Sequence, residues 1–305
     1  EEENDKIDPE LKSLLEQVRE NNRNASSFLS KEVPLSLSSK INETFSDPVY
    51  LSITPELWRG FDVALSPDNA FFLVCDSETV IHVDAKTKKA TRPYEGFNNT
   101  YGVDISPNTS FALVADYNKG IGHIDLRTHQ VSFPYPKEWI KRPKGVAISP
   151  DASFALFTNG DAEDNSNIGR INLRTNQITF HYNDTGLSYP WGIAISPDSR
   201  HIVVTNYYNH YIALIDLQTD EVSFPFPDTG FNRPRGVAFS PNGAMVLVAN
   251  TEGNNVACID FHSRDVIFIG GFREPLGVSV SRDGTHALVA NSNGDDRIAR
   301  IDLPP

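Results

Sequence analysis

The chain of 305 residues carries 27 lysines and arginines against 40 aspartates and glutamates, so its formal net charge is −13 at pH 7. This balance argues against nucleic acid or an anionic membrane surface as the general partner, and no run of 18 apolar residues predicts a membrane-spanning helix. The length admits either two domains or one large β domain. The sequence starts at Glu1 without a basic and apolar leader, which indicates a processed or truncated protein.

Residues 1–46 are predicted to form an N-terminal arm. Asp8 is suited to cap a helix and Pro9 to occupy its first position, which predicts a short amphipathic helix over about 8–20. Its apolar face, formed by Leu11, Leu14, Leu15 and Val18, is expected either to pack on the rest of the protein or to dock onto a partner. The Ser-rich residues 26–40 are predicted to be an extended linker.

From residue 62 onward one short motif recurs six times. Three of the six copies are DVALSPD at 62–68, GVAISPD at 145–151 and GVAFSPN at 236–242. The serine of the motif recurs at intervals of 40 to 47 residues. Each copy continues with an apolar run, a polar loop, a second run ending near an aspartate, and a last short run. Four β-rich segments separated by Pro, Asn, Asp, Gly and Thr predict four strands per repeat.

A four-stranded repeat of this length is the unit of a β-propeller blade. The sixth copy stops after its third strand at 297–303, and the segment 47–54 has the alternation of the missing fourth strand. We therefore predict an all-β, six-bladed β-propeller over 47–305, closed by the N-terminal strand 48–53. Closure removes the free sheet edges that favour aggregation.

The copies resemble the NHL and YVTN-type repeats of six-bladed and seven-bladed propellers. The resemblance covers about 47–305 and lies in a Pro-x-Gly-Val/Ile-Ala pattern before the turn and a Val-Thr/Ala-Asn/Asp pattern after it. The Gly-His and Trp-Asp signatures of WD40 blades are absent. Propellers of this kind include gluconolactonase-like hydrolases, strictosidine-synthase-like proteins, streptogramin lyases and binding modules, so the resemblance implies a fold rather than one activity. The pattern before the turn involves Pro143 and Gly145, Pro190 and Gly192, and Pro234 and Gly236.

The residues just before the repeated glycine are candidates for a binding site. In propellers the first strand of each blade is innermost, so these residues should surround the mouth of the central channel. They are aromatic and basic on an acidic protein, which predicts that an anion binds there and that the rings stack on a planar or sugar-like ligand or hold a cation. Alternatively, the side chains plug the channel and pair with neighbouring acids. The mouth residues are Phe61, Tyr101, Lys144, Trp191, Arg235 and Leu276, and those two positions upstream are Arg59, Asn99, Arg142, Tyr189, Arg233 and Glu274.

Candidate catalytic or metal-binding groups are fewer. The resemblance to gluconolactonase-like proteins implies a metal in the channel, with Ca²⁺ as the candidate cofactor, held by Glu, Asn and Asp. The mouth positions contain no matching set, and the nearest candidates are Asp62, Asp104 and Asn99. Asp104 replaces the alanine or serine of the other copies, so it is a potential ligand or general base, or else a hydrated channel group.

Three further patterns bear on structure and location. An Asp or Asn ends the second strand of every copy, which predicts a structural role in the turn rather than a ring of metal ligands. Cys75 and Cys258 fall on blades one and five, too far apart for a disulfide, so both are predicted to be buried thiols. Five N-x-Ser/Thr sequons in loops and the arm favour a secreted or lumenal glycoprotein. They lie at Asn24, Asn42, Asn98, Asn108 and Asn183.

Two functions from different classes follow from these observations. The first is a non-enzymatic propeller that binds a small molecule, a peptide or a protein at the channel mouth. The second is a hydrolase or lyase that uses Asp104 or Asp62 with or without Ca²⁺. The sequence favours the binding protein, because the mouth residues supply rings and cations but no catalytic set.

Overall fold

The computed structural model describes residues 45, 47–57, 59–159, 167–226, 230–293 and 297–304. In this part of the chain the strands form six antiparallel sheets of four strands each. The prediction of an all-β, six-bladed β-propeller is therefore confirmed. The predicted helix at 8–20 and the Ser-rich linker lie outside the described residues.

The blades follow one another along the chain, and in blades 1 to 5 the chain order of the strands is also their order from the channel outward. A single turn of 3-10 helix, Lys137–Trp139, lies in the loop that leads into blade 3. Blades 1 and 2 consist of β2 (Asp62–Leu65), β3 (Phe71–Asp76), β4 (Thr79–Asp84) and β5 (Ala90–Tyr94), then β6 (Thr100–Ile105), β7 (Phe111–Asp116), β8 (Gly120–Asp125) and β9 (Val131–Ser132). Blades 3 and 4 consist of β10 (Val146–Ile148), β11 (Phe154–Asn159), β12 (Asn167–Asn172) and β13 (Ile178–His181), then β14 (Pro190–Ile195), β15 (His201–Asn206), β16 (Tyr211–Asp216) and β17 (Val222–Ser223). Blade 5 consists of β18 (Pro234–Phe239), β19 (Met245–Asn250), β20 (Asn255–Asp260) and β21 (Val266–Ile269), and blade 6 of β22 (Pro275–Val280), β23 (His286–Asn291), β24 (Ile298–Asp302) and β1 (Val49–Tyr50).

The sixth blade is completed by the N-terminal strand. β1 pairs with β24 in antiparallel register, with Val49 opposite Arg300 and Tyr50 opposite Ala299, and the backbone N–H of Leu51 donates to the carbonyl oxygen of Ile298 at 2.8 Å. The predicted closure is confirmed, although the paired segment is two residues long rather than six. The outer edge of blade 6 is thereby covered by chain from the other end of the domain.

The hydrophobic cores lie between neighbouring blades. The second strand of each blade is covered on both faces, as in β11 and β19, where all six residues are buried. Such strands have near-continuous apolar sequences because both of their faces contact another sheet. Burying each Ile, Leu or Val contributes about 1.5–3 kcal/mol, so the packing of blade on blade is the main stabilising force. Cys75 in β3 and Cys258 in β20 are free and buried within this packing, as predicted.

The repeated Ser-Pro-Asp/Asn motif forms the turn between the first and second strands. In blade 1 the hydroxyl of Ser66 donates to Asp68 Oδ1 at 2.7 Å and accepts the backbone N–H of Phe71 at 3.0 Å. The same pair of bonds recurs at the serine of every other blade. The motif therefore recurs because each blade needs the same buried hydroxyl to satisfy its turn.

The Asp or Asn at the end of each second strand also has a structural role, as predicted. Its side-chain oxygen accepts a backbone N–H from the loop that leads into the same blade: in blade 4, for example, Asn206 Oδ1 accepts the N–H of Ser188 at 2.9 Å. The side chain thus fixes the loop that carries the mouth residues. The six residues are Asp76, Asp116, Asn159, Asn206, Asn250 and Asn291.

Candidate functional site

We call the side of the propeller on which the chain enters the first strand of each blade the upper face, and the side with the Ser-Pro turns the lower face. The predicted mouth residues gather at the upper face, and rings contact one another across the channel. Tyr101 of blade 2 and Trp191 of blade 4 lie edge to face with ring centroids 5.5 Å apart. Phe61 of blade 1 lies 5.0 Å from Tyr101. The channel mouth is therefore covered by aromatic side chains rather than open.

Trp191 is at the centre of this arrangement. The guanidinium carbon of Arg235 lies 4.4 Å from the centroid of the Trp191 ring, and Tyr207 lies 5.2 Å from it on ring centroids. Arg235 also lies 5.1 Å from the centroid of Tyr207. Contact with both rings holds the planar guanidinium group of Arg235 in place.

Lys144 occupies a different position from the one expected for an exposed mouth residue. Its side chain is 2% exposed and its Nζ lies 4.1 Å from the centroid of Tyr189, 5.6 Å from Trp191 and 5.4 Å from Tyr117. The ammonium group also donates to the carbonyl oxygen of Arg142 at 3.2 Å. Lys144 is thus enclosed by rings beneath the surface. Leu276, the mouth residue of blade 6, is also buried, at 3% exposed.

The residues two positions upstream project over the same face through an unusual backbone. Arg142, Tyr189, Arg233 and Glu274 all have φ between 47° and 52°, a left-handed conformation that few residues other than glycine adopt. Arg142 is exposed and its guanidinium carbon lies 5.5 Å from the Tyr117 ring. Arg233 lies 5.3 Å from Tyr207 and forms an ion pair with Glu252.

Sequence analysis missed two tyrosines that contact the mouth residues. Tyr117 and Tyr207 directly follow the Asp or Asn that ends the second strand of blades 2 and 4, and both contact Lys144 or Arg235. The regular position of that Asp or Asn could have identified them, because the loop between the second and third strands lies on the upper face. We refer to the whole group as the mouth cluster, consisting of Phe61, Tyr101, Tyr117, Tyr189, Trp191, Tyr207, Arg142, Lys144, Arg233 and Arg235.

Burial changes the pKa of two tyrosines of the mouth cluster. Burial, with smaller contributions from the neighbouring tyrosines Tyr117 and Tyr208, raises the pKa of Tyr189 to about 12. Burial likewise raises the pKa of Tyr101. The cluster therefore presents arginine charges and neutral hydrogen-bonding rings at neutral pH, which suits a ligand with an anionic group and a planar or apolar part.

Directly below the mouth cluster the inner strands approach one another very closely. A β-carbon on Gly102, Gly145 or Gly192 would overlap the carbonyl oxygen of the next blade's mouth residue. Only glycine permits this approach of neighbouring backbones. Asp62 occupies the equivalent position in blade 1, where its carboxyl group lies against Gly277 of blade 6.

Below this glycine layer the channel contains a cavity of about 480 Å³. Its lining includes Asp62, Asp104 and the inner strands of all six blades, and it extends to the prolines of the lower face, of which Pro150 and Pro197 are exposed. No mouth residue lines it. The mouth cluster and the channel cavity are thus two separate features on opposite sides of the glycine layer.

Asp62 and Asp104 link neighbouring blades from within the cavity. Asp62 Oδ2 accepts the backbone N–H of Val103 at 3.0 Å, and Asp104 Oδ2 accepts that of Ile148 at 2.7 Å. Burial raises the pKa of Asp62 to about 8 and that of Asp104 to about 7. The backbone hydrogen bonds lower both pKa values, but burial has the larger effect. The nearby Asp104 charge also raises the pKa of Asp62.

Comparison with known proteins agrees with this architecture. The family model of the NHL repeat matches residues 187–213, which include Trp191 and Tyr207. Hydrazine synthase of Kuenenia stuttgartiensis superposes with a TM-score of 0.62 at 16% identity, over 83% of this chain and 97% of that chain. The chain is an NHL-type β-propeller.

Two further solved structures share the fold of this NHL-type propeller. An auxiliary nutrient binding protein from Bacteroides thetaiotaomicron has a TM-score of 0.66 at 11% identity, covering 85% of this chain and 73% of that chain. A chain of a nidogen/laminin complex has a TM-score of 0.66 at 12% identity, covering 75% and 87%. At these identities the likeness concerns the fold alone. No curated protein matches the sequence significantly.

The carboxylates of the NHL-type propeller do not fit the Ca²⁺ site that the gluconolactonase resemblance implied. Ca²⁺ takes about six to eight oxygen ligands, whereas Asp62 and Asp104 direct oxygens at peptide N–H donors. Across the described ranges no group of three or more His, Cys, Asp or Glu could hold a metal ion.

The same ranges contain no helix that is long and apolar enough to cross a membrane.

Proposed function

We propose that this NHL-type propeller is a binding protein and that the mouth cluster holds an anionic ligand with a planar or apolar part. The observation that carries the proposal is the stacking of Arg235 on Trp191 and Tyr207 at the centre of the upper face. Arg142, which precedes blade 3, and Arg233, two residues before Arg235, flank this centre, each beside a tyrosine ring. The ligand is either a small molecule or a segment of a protein partner that offers the same groups.

The arrangement assigns different roles to the cations. Arg235 and the exposed Arg142 place guanidinium groups at the upper face, and a guanidinium forms paired hydrogen bonds with a carboxylate or phosphate. Lys144 is enclosed, so its role in binding is to hold Tyr189 and Trp191 in position. Two similar structures, a nutrient binding protein and a chain of a protein complex, are consistent with binding as the activity of such a face.

The test uses phenyl phosphate as a probe that combines an anion with a ring. Calorimetric titration should show that it binds more tightly than inorganic phosphate, which lacks the ring, and benzyl alcohol, which lacks the anion. Arg235→Ala should weaken binding about ten-fold to a hundred-fold, because a hydrogen bond to a charged group contributes about 1.5–3 kcal/mol. Arg200→Ala, which removes an exposed arginine beside the lower-face turn of blade 4, is the matched control. Equal affinity of the two variants contradicts the proposal.

A hydrolase or lyase activity is the alternative. It would use Asp62 or Asp104, whose pKa values near neutrality suit a general acid or base. However, the side chains that line the channel cavity in the described ranges include no histidine, lysine or cysteine to complete a catalytic set. We therefore favour binding. The alternative would be favoured if the native protein hydrolysed p-nitrophenyl acetate faster than the background rate and the Asp104→Asn variant did not.

We also propose that the protein is secreted or lumenal and glycosylated. Asn98, Asn108 and Asn183 are exposed, as an acceptor for a glycan must be. Expression through a secretory pathway followed by intact-mass measurement tests this, and the expected result is a mass increase that N-glycosidase removes. A mass that matches the bare chain would contradict it.

A further inference from the structure

Three polar residues break the repeat at positions that are otherwise small or apolar. Asp62 stands where the other five blades have glycine, Asp104 stands where they have alanine or serine, and Arg282 stands where they have proline. The three residues belong to blades 1, 2 and 6, which are adjacent in the closed ring. Their equivalents are Gly102, Gly145, Gly192, Gly236 and Gly277; Ala64, Ala147, Ala194, Ala238 and Ser279; and Pro67, Pro107, Pro150, Pro197 and Pro241.

All three substituted residues line the same cavity of about 480 Å³. The opposite wall, contributed by blades 3, 4 and 5, carries no charged side chain in the described lining and includes Ala147, Ala194 and Phe239. The channel cavity is therefore polar on one side and apolar on the other. Its volume is within the range of about 300–1,000 Å³ that small-molecule sites occupy.

The charges are also separated along the channel. Asp62 of blade 1 lies in the glycine layer, and Asp104 of blade 2 lies two positions further towards the lower face. Arg282 lies at the lower face, where its exposed guanidinium donates to the carbonyl oxygen of Pro107 at 3.3 Å. From the level of Asp104 to the level of the prolines is three residues, or about 10 Å of strand. Carboxyl groups thus occupy the inner part of the cavity and a guanidinium group its rim.

We propose that the channel cavity is a second ligand site, open to the lower face, for a small zwitterion of the ω-amino acid type. The ammonium group of the ligand would meet Asp104 and Asp62, its carboxylate would meet Arg282, and its hydrocarbon chain would lie on the apolar wall of blades 3 to 5. This site is independent of the mouth cluster, because the glycine layer separates them.

The titration of the carboxyl groups supports this assignment. Burial raises the pKa of Asp62 and of Asp104 towards neutrality, and a bound ammonium group would lower both pKa values by stabilising the ionised forms. The other ionisable groups that face them are the thiol of Cys75, buried beside Asp62, and Arg282 at the rim. Because the ligand requires ionised carboxylates, affinity should increase as the pH rises from 6 to 8.5.

The experiment titrates the full chain with 6-aminohexanoate, and with hexylamine, hexanoate and hexan-1-ol as partial analogues. We expect 6-aminohexanoate to bind most tightly, hexylamine about ten-fold more weakly, and hexanoate and hexan-1-ol more weakly still. Hexylamine lacks the contact with Arg282, hexanoate lacks the contact with the buried carboxylates, and hexan-1-ol lacks both. Asp104→Asn should weaken 6-aminohexanoate about ten-fold or more. Arg282→Pro, which restores the residue of the other blades, should remove the difference between 6-aminohexanoate and hexylamine.

Two further variants make the result decisive. Ala194→Leu fills the apolar wall without altering a charge, so it should abolish binding even if Asp104→Asn does not fold. Arg235→Ala changes only the mouth cluster and should leave 6-aminohexanoate affinity unchanged, which separates this test from that of the proposed function. Lack of binding to the native protein at concentrations on the order of 10 mM, equal binding of hexanoate and hexylamine, or undiminished binding to Ala194→Leu would each overturn the proposal.

Discussion

The Nζ atom of Lys144 lies 4.1 Å from the centroid of the Tyr189 ring, and the lysine side chain is 2% exposed. Three rings and a backbone carbonyl take the place of water around this ammonium group. A cation–π contact contributes about 2 kcal/mol or more when it is shielded from solvent. Lys144 is therefore a structural part of the mouth cluster, and its loss should be visible in stability.

Lys144→Met tests this, because methionine preserves length and apolar packing but removes the charge. A loss of about 2 kcal/mol should lower Tm by roughly 4–8 °C in a domain of this size. Lys86→Met, at an exposed turn of blade 1, is the matched control and should leave Tm unchanged. If the two variants have the same Tm, the rings do not stabilise the ammonium group.

Gly192 in the glycine layer should not tolerate a side chain. Gly192→Ala places a β-carbon against the backbone carbonyl of Arg235, and overpacking of this kind costs about 1–3 kcal/mol. Gly270→Ala is the control, because nothing lies within 4 Å of its added β-carbon. Thermal unfolding of the two variants should show a lowered Tm for Gly192→Ala alone, and a similar Tm for both would mean that the inner strands can move apart.

Stability should depend on pH through Asp62 and Asp104. Their pKa values are about 8 and about 7 in the folded protein, against 3.8 for an ordinary aspartate. Between these limits the folded protein retains protons that the unfolded chain has lost, so the free energy of unfolding falls as the pH rises from about 4 to about 8. Below pH 4 stability falls again, because hydrogen bonds from Ser149 and Ser153 hold the pKa of Asp151 at about 2.

Melting curves at intervals of pH measure this dependence. The native protein should have its highest Tm near pH 4 and a lower Tm at pH 8. The double variant Asp62→Asn/Asp104→Asn should lose the decline between pH 5 and pH 8 while it keeps the loss below pH 4. The facing groups Cys75 and Arg282 do not change in this variant. An unaltered decline would show that other groups cause it.

Closure by β1 should be essential to the propeller. Deleting residues 1–40 leaves β1 in place, whereas deleting residues 1–55 removes it together with the buried Ile53 and exposes the edge of β24. We expect the shorter deletion to melt as the full chain does and the longer one to melt earlier and aggregate. Equal melting temperatures would mean that the β1–β24 pairing does not hold the ring closed.

The sequence by itself determined the number of blades, the four strands of each and the strand that closes the ring. These features are encoded locally and repeated, since each copy carries its own turn serine and its own alternation of apolar residues. The same regularity identified Phe61, Tyr101, Trp191 and Arg235 as neighbours, because equivalent positions in successive blades surround one axis.

Only the tertiary structure decided what these residues do together. Contacts between residues of neighbouring blades bury Lys144 among three rings, bring Tyr117 and Tyr207 into the mouth cluster, and bring the inner strands close together at the glycine layer. The cavity therefore lies below that layer, with Asp62, Asp104 and Arg282 in its lining. Side-chain reach and backbone separation across the ring set these relationships, and neither is a property of a single repeat.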